Sequence, residues 1–125
     1  VVNSRAKGNE AERAVVKILS RYFPGKFERR SMGIAGCDIV CPEDFLWAPE
    51  VKNNKMVRLK HFWKPTLQLT TFWVQTKTQA AALGKLPLLI VKAEGLWFCW
   101  DNIPNSYDFA HNVWLFEDWC ENHAK

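Results

Sequence analysis

The chain has no Cys-x-x-Cys pair, and its three histidines, at 61, 111 and 123, fit no zinc-ligand spacing. No structural zinc is therefore expected. No apolar run reaches the length of a membrane span, and no signal-peptide pattern is legible at the N-terminus, so no membrane partner is expected. The first residue is Val rather than Met, which leads us to expect residues before it. Repeats and low-complexity segments are absent too. With 48% hydrophobic residues the composition is not that of a disordered chain. A length of 125 residues implies one domain, 1–125, large enough for its own core. The four cysteines, at 37, 41, 99 and 120, read as small buried hydrophobes. Reduced thiols fit an intracellular, cytoplasmic protein.

Charge is what the chain has, and it is unevenly placed. The formal net charge is +4. Residues 1–64 hold 13 Lys and Arg against 7 Asp and Glu, whereas residues 65–125 hold 4 against 6. A basic first half attracts an anionic partner such as nucleic acid. A soluble protein with a modest pI bias gives the same net charge.

The periodicity predicts an amphipathic helix over 8–22, with Ala11, Val15, Ile18, Leu19 and Tyr22 as its apolar stripe, ended by Pro24-Gly25. Strands are expected at 26–31, 37–41 and 46–53, a basic connector at 54–65, and a second helix at 67–83 with Gly84 as its cap. The apolar run 86–93 reads as a central strand, followed by a turn at 94–95 and a strand at 96–100. After a loop over 101–112, a short helix over 113–122 closes the chain. This order predicts an α/β fold, a mixed central β-sheet flanked by helices. Pro49 lacks a backbone donor, so its strand needs a bulge or a sheet edge there.

Within this frame Asp38, Glu50 and Lys52 stand out. Side chains alternate along a strand, so Glu50 and Lys52 share a face, and Asp38 joins them if its strand lies alongside. Two converging carboxylates suit a hard divalent cation. A lysine beside them can orient a water or stabilise charge on a phosphate, and such a trio can hydrolyse a phosphodiester. On spacing alone a solvated pair of acids and a surface lysine is the commoner reading. The surrounding Ile39, Val40, Cys41 and Val51 favour the site, because charges in buried strands are costly unless paired or metal-bound.

Several stretches in order resemble the PD-(D/E)xK nuclease superfamily, and within it the archaeal-type Holliday junction resolvases. Arg5-Ala-Lys7-Gly8-Asn-Glu-Ala11-Glu12-Arg13 is similar to that family's Lys-Gly-x-x-x-Glu-Arg at the start of its first helix, and Arg30-Ser31-Met32-Gly33 to its Arg-Ser-x-Gly loop. Asp38, Glu50 and Lys52 match the nuclease motif. Leu83-Gly84 through Lys92, with Pro87, resembles the helix end and apolar strand that follow, and Trp97-Phe98 the next strand. The resemblance covers about residues 5–100. It implies a restriction-endonuclease-like core and a Mg2+-dependent enzyme, with Mn2+ as substitute. Glu12, Asp38 and Glu50 would form the acidic cluster. Asp38, Glu50 and the carbonyl of Val51 would be metal ligands, and Lys52 the charge-stabilising or water-orienting group. Ser31 and Arg30 would approach the phosphate, and Gln75 on the second helix would line the site; a solvated face is the other reading of Gln75. Lys7, Arg29, Arg30, Lys55, Arg58 and Lys60 would contact DNA. A homodimer would place two sites on a four-way junction and nick it symmetrically. Ile34 stands where many archaeal members carry a second loop serine, and the connector with Trp63 matches no pattern of that family.

Two further functions stay open at this level: a related nuclease with nicking, repair or restriction-type specificity, and a non-catalytic nucleic-acid-binding relative. Trp97, Phe98, Trp100, Trp114, Phe116 and Trp119 could stack bases. They lie in the acidic half, so core packing and a dimer interface are expected of them instead. The apolar run 86–91 and the segments 96–100 and 113–119 exceed what one small sheet is expected to bury, and a homodimer interface is expected to draw on them.

Overall fold

The computed structural model describes residues 4–30 and 38–124, with side chains of the first helix from Asn9 onward. Helix α1 (Ser4–Tyr22) leads into a hairpin of two-residue strands, β1 (Glu28–Arg29) and β2 (Ile39–Val40). Strand β3 (Trp47–Asn53), a 3-10 turn (Leu59–Phe62) and helix α2 (Leu67–Ala82) follow. Then come β4 (Leu86–Ala93), β5 (Leu96–Trp100), β6 (Trp114–Leu115) and α3 (Phe116–His123). The larger sheet has the order β3-β4-β5-β6, with β3 parallel to β4 and the rest antiparallel. The mixed α/β class expected from sequence is the class observed.

The helices cover both faces of this sheet. Strand β4 is apolar on both sides, as a central strand next to a parallel partner must be. Its Leu88 and Ile90 pack with Ala11, Val15 and Leu19 of α1 and with Phe116, Trp119 and Cys120 of α3. Its Leu89, Val91 and Ala93 pack with Leu69 and Trp73 of α2, with Phe62, and with Trp100 and Phe109. Both cores are closed to solvent: Val15, Leu19, Leu88–Val91, Trp100 and Trp119 are fully buried. Trp100 donates its indole N–H to the Phe109 carbonyl at 2.8 Å, so the ring is buried without an unmet donor.

The two prolines in strands obey sheet geometry. The Val51 N–H points away from β4, toward Asp38. Pro49 shares its parity, so its missing donor faces the open edge and no ladder bond is lost. Pro87 pairs with Ala48, but β5 joins β4 only from Leu89 onward, so its bare nitrogen also meets no partner strand. Gly25 has φ +95°, and a Cβ there would lie 2.5 Å from Pro42 Cγ, so the end of α1 requires glycine.

Three expectations change. The strand expected at 37–41 shrinks to Ile39–Val40, and Asp38 precedes it in a bend. Residues 114–115 form an edge strand before the last helix, because β5 offers Phe98 and Cys99 as unpaired partners for Leu115 and Trp114. The apolar segments at 86–91, 96–100 and 113–119, expected to exceed what one small sheet buries, are largely absorbed within the protomer. Among their residues Leu86, Leu96 and Leu115 stay well exposed, whereas Leu88–Val91, Cys99, Trp100, Phe116 and Trp119 are buried. The physical reason given for a dimer thereby falls away. Among the described residues no helix is long and apolar enough to cross a membrane.

Candidate active site

Glu50 lies in the middle of β3, in register with Leu89. Its side chain therefore points to the α2 face, into apolar surroundings, and the residue is 4% exposed. Two residues on, Lys52 shares that face, with Nζ 3.6 Å from Glu50 Oε1 and 5.1 Å from the centroid of the Phe72 ring. Asp38 comes from the other side of the strand edge. Its Oδ2 accepts the Val51 N–H at 2.9 Å, which pins the carboxylate against the open edge of β3. The sequence spacing thus brings Asp38, Glu50 and Lys52 together.

Electrostatics makes the pair of acids unusual. The Glu50 carboxyl is pushed up to about 7, first by burial and then by the negative charge of Asp38, with Lys52 pulling the other way. Glu50 Oε2 is buried and has no hydrogen-bond partner when both groups are carboxylates. A proton shared between Asp38 and Glu50 would satisfy it, and so would a cation. This orphaned oxygen beside a second carboxylate is the observation that fits a divalent metal, whose hard character suits oxygen donors. In a strand the N–H and C=O of one residue point the same way, so the Val51 carbonyl also faces the open edge beside Asp38. No group of three or more His, Cys, Asp or Glu side chains able to hold a metal occurs among the described residues.

Glu12 stands at the margin. It pairs with Arg29, Oε1 to Nε 3.6 Å, and both side chains are largely buried. Burial first, and then Asp38, raises the Glu12 carboxyl, while Arg29 lowers it. Glu12 therefore feels the site's charge without completing a three-acid cluster. Arg29, expected to contact DNA, is instead turned inward to Glu12. Arg30 donates its backbone N–H to the Asp38 carbonyl at 3.0 Å, joining the end of β1 to the residue before β2. Ser31 and Cys37 lie outside the described residues, as does the side chain of Lys7. Lys55, Arg58 and Lys60 lie together on the connector after β3.

Gln75 is exposed on α2, and no hydrogen bond ties it to the acids. Ala80 packs on Ala48, and Phe72 lies by Lys52, so α2 runs antiparallel to β3. Thr76, midway between Phe72 and Ala80, is buried at the level of Glu50 and donates its hydroxyl to the Phe72 carbonyl at 2.7 Å. Gln79, two helical turns after Phe72 and on the same line of the helix, has a buried Oε1 without a partner. Phe72, Thr76 and Gln79 were not singled out from sequence. The seven-residue step from Phe72 to Gln79 was the available signal, but it identifies a face only once Phe72 is known to face Lys52.

Two of the thiols are placed where they are poor nucleophiles. Cys99 and Cys120 are free and buried. Burial pushes the Cys120 thiol up to about 12 and Cys99 well above its ordinary value, so neither supplies a thiolate.

No curated protein and no solved structure matches the chain. A family model does: residues 3–99 match the family described as phage putative PDDEXK endonuclease. That span contains α1, the acid pair, Lys52, the connector and most of the large sheet. The chain belongs to this PDDEXK endonuclease family.

Proposed function

We propose that the chain is a divalent-metal-dependent DNA endonuclease that cuts branched DNA, with the four-way junction as its substrate. The observation that carries the nuclease reading is the buried Glu50 carboxyl, raised to about 7 beside Asp38 and ion-paired with Lys52. Asp38, Glu50 and the Val51 carbonyl would hold the metal, Mg2+ with Mn2+ as substitute. When bound, the metal would supply a Lewis acid for the phosphate and lower the pKa of water. Glu50 contributes its orphaned oxygen, and Val51 N–H holds Asp38 in place for the same task. Lys52 keeps a positive charge next to the reacting phosphate, where it stabilises the extra negative charge of the transition state or orients the attacking water. The ring of Phe72 shields one side of that ammonium from water and strengthens its field.

The junction reading draws on the resemblance of the N-terminal helix and loop to resolvases, and on symmetry. A four-way junction has two-fold symmetry, and one acid pair per chain supplies one nick at a time. A homodimer with C2 symmetry would supply both. The test is cleavage of a four-way junction beside linear duplex and single strand, with Mg2+ and with EDTA, together with sedimentation. Paired nicks by a dimer support the reading. A monomer that cuts linear duplex equally well rejects junction resolution and keeps the nuclease.

A further inference from the structure

The connector between β3 and α2 carries chemistry that the acid pair does not use. It lines a cleft of 520 Å³ with Lys55, Met56, Arg58, Lys60 and His61, closed on one side by Glu94 of the β4–β5 turn. An overlapping cleft adds Asn53, the residue after Lys52, and Lys92. Among the described residues, Lys55, Arg58 and Lys60 take part in no ion pair. Glu94 forms no ion pair with any of these three; its Oε2 accepts the Leu59 N–H at 2.7 Å and latches the turn to the connector, so the cleft holds three cations against one carboxylate. His61 Nδ1 accepts the Arg58 N–H at 3.0 Å, which leaves Nε2 of the neutral ring as a donor. Apart from Glu94, the charged and imidazole groups of the cleft are donors, which suits an anion with several acceptor oxygens.

From Phe62 onward the same connector lines a second cleft, of 370 Å³, with Trp63, Pro65 and Tyr107, and with Asp108, whose carboxylate is held 2.9 Å from His111 Nδ1. Trp63 is 66% exposed, while Trp73, Trp100 and Trp119 are fully buried. Tyr107 is exposed too and is held at φ +54°, in the left-handed region that a non-glycine residue seldom adopts. Cations followed by open aromatic rings match a polymer with phosphates and accessible flat bases. Duplex DNA offers phosphates, but its bases are stacked inside and leave Trp63 no partner. A single strand offers both.

We propose that the connector is a track for one unpaired DNA strand, with phosphates on Lys55, Arg58, Lys60 and His61 and bases stacked on Trp63 and Tyr107. The track starts directly after Lys52, so an unpaired arm bound there would leave the adjoining backbone at the acid pair. That consequence rests on the nuclease reading; the track itself does not.

The test is fluorescence anisotropy of a labelled oligothymidylate and of a blunt duplex, in EDTA, with the Glu50→Gln protein. Trp63→Ala should weaken oligothymidylate binding about 10-fold and leave duplex binding unchanged, and Trp63→Phe should restore most of the loss. Changing Lys55, Arg58 and Lys60 together to Gln should lower the slope of log affinity against log salt by about 2. Oligothymidylate binding that is unchanged in Trp63→Ala overturns the track. So does an equal loss for duplex and single strand, which marks a general basic surface. Strand binding that depends on Trp63, in a parent protein that cuts no DNA with Mg2+, supports the track and refutes the nuclease reading alone.

Discussion

Strands β3 and β4 are parallel neighbours in register, yet they serve opposite ends. Glu50 of β3 lies beside Leu89 of β4, and Lys52 beside Val91, all facing α2. Leu89 and Val91 are fully buried hydrocarbon and contribute to the core in the ordinary way. Glu50 is nearly as buried and is destabilising as an anion, since it titrates at about 7. A domain that can place leucine at this depth has placed a carboxylate one strand away, at the sheet edge where Asp38 can reach it. The difference separates positions shaped by packing from positions shaped by chemistry.

The comparison breaks first on activity. Asp38→Asn and Glu50→Gln should abolish Mg2+-dependent cleavage while DNA binding is kept or tightened, because negative charge is removed. Lys52→Ala should lose at least ~100-fold in rate. Normal cutting by Lys52→Ala would remove that residue from the chemistry. Ca2+ should support binding with poor cleavage, since its looser coordination positions groups less well.

The next effect is on stability and runs in opposite directions on the two strands. Leu89→Ala should destabilise by about 3 kcal/mol, through lost burial and a cavity, as read from denaturant melts. Glu50→Gln should stabilise the metal-free protein at pH 8 by about 2 kcal/mol. The sign follows from the raised carboxyl. Glu50 titrates near 4.5 when unfolded and near 7 when folded. Its proton therefore stabilises the fold fully below about 4.5, and this contribution is lost as pH rises to about 7. The variant should melt several degrees higher than the parent at pH 8 and at nearly the same temperature at pH 4. Equal melting at pH 8 would mean that Glu50 is not under strain. The smallest effect is expected at Gln75, whose exposed side chain should tolerate Ala with no change in rate or melting beyond about 0.5 kcal/mol.

Much of this was legible locally. The apolar run at 86–93 and the stripe of α1 are periodic, and Gly84, at φ +66°, stops α2 where its cap was expected. Asp38, Glu50 and Lys52 were legible because strand alternation fixes which residues share a face. What sequence did not show depends on tertiary neighbours. The pairing of Trp114 and Leu115 needs the free edge of β5, and the inward turn of Arg29 needs Glu12 from α1. The role of Glu94 as a latch depends on a contact with Leu59 across 35 positions. The apolar C-terminal segments looked like surplus because sequence does not reveal that both faces of β4 are covered.

The central claim is that Asp38 and Glu50 hold either a shared proton or a cation. Isothermal titration of the protein with Mn2+ at pH 6.5, repeated in buffers of different ionisation enthalpy, measures the protons released on binding. The account predicts release of about half a proton or more per metal by the parent, since Glu50 is largely protonated below pH 7, and neither tight binding nor release by Glu50→Gln. Tight binding by both proteins with no proton released would place the metal elsewhere and contradict the account.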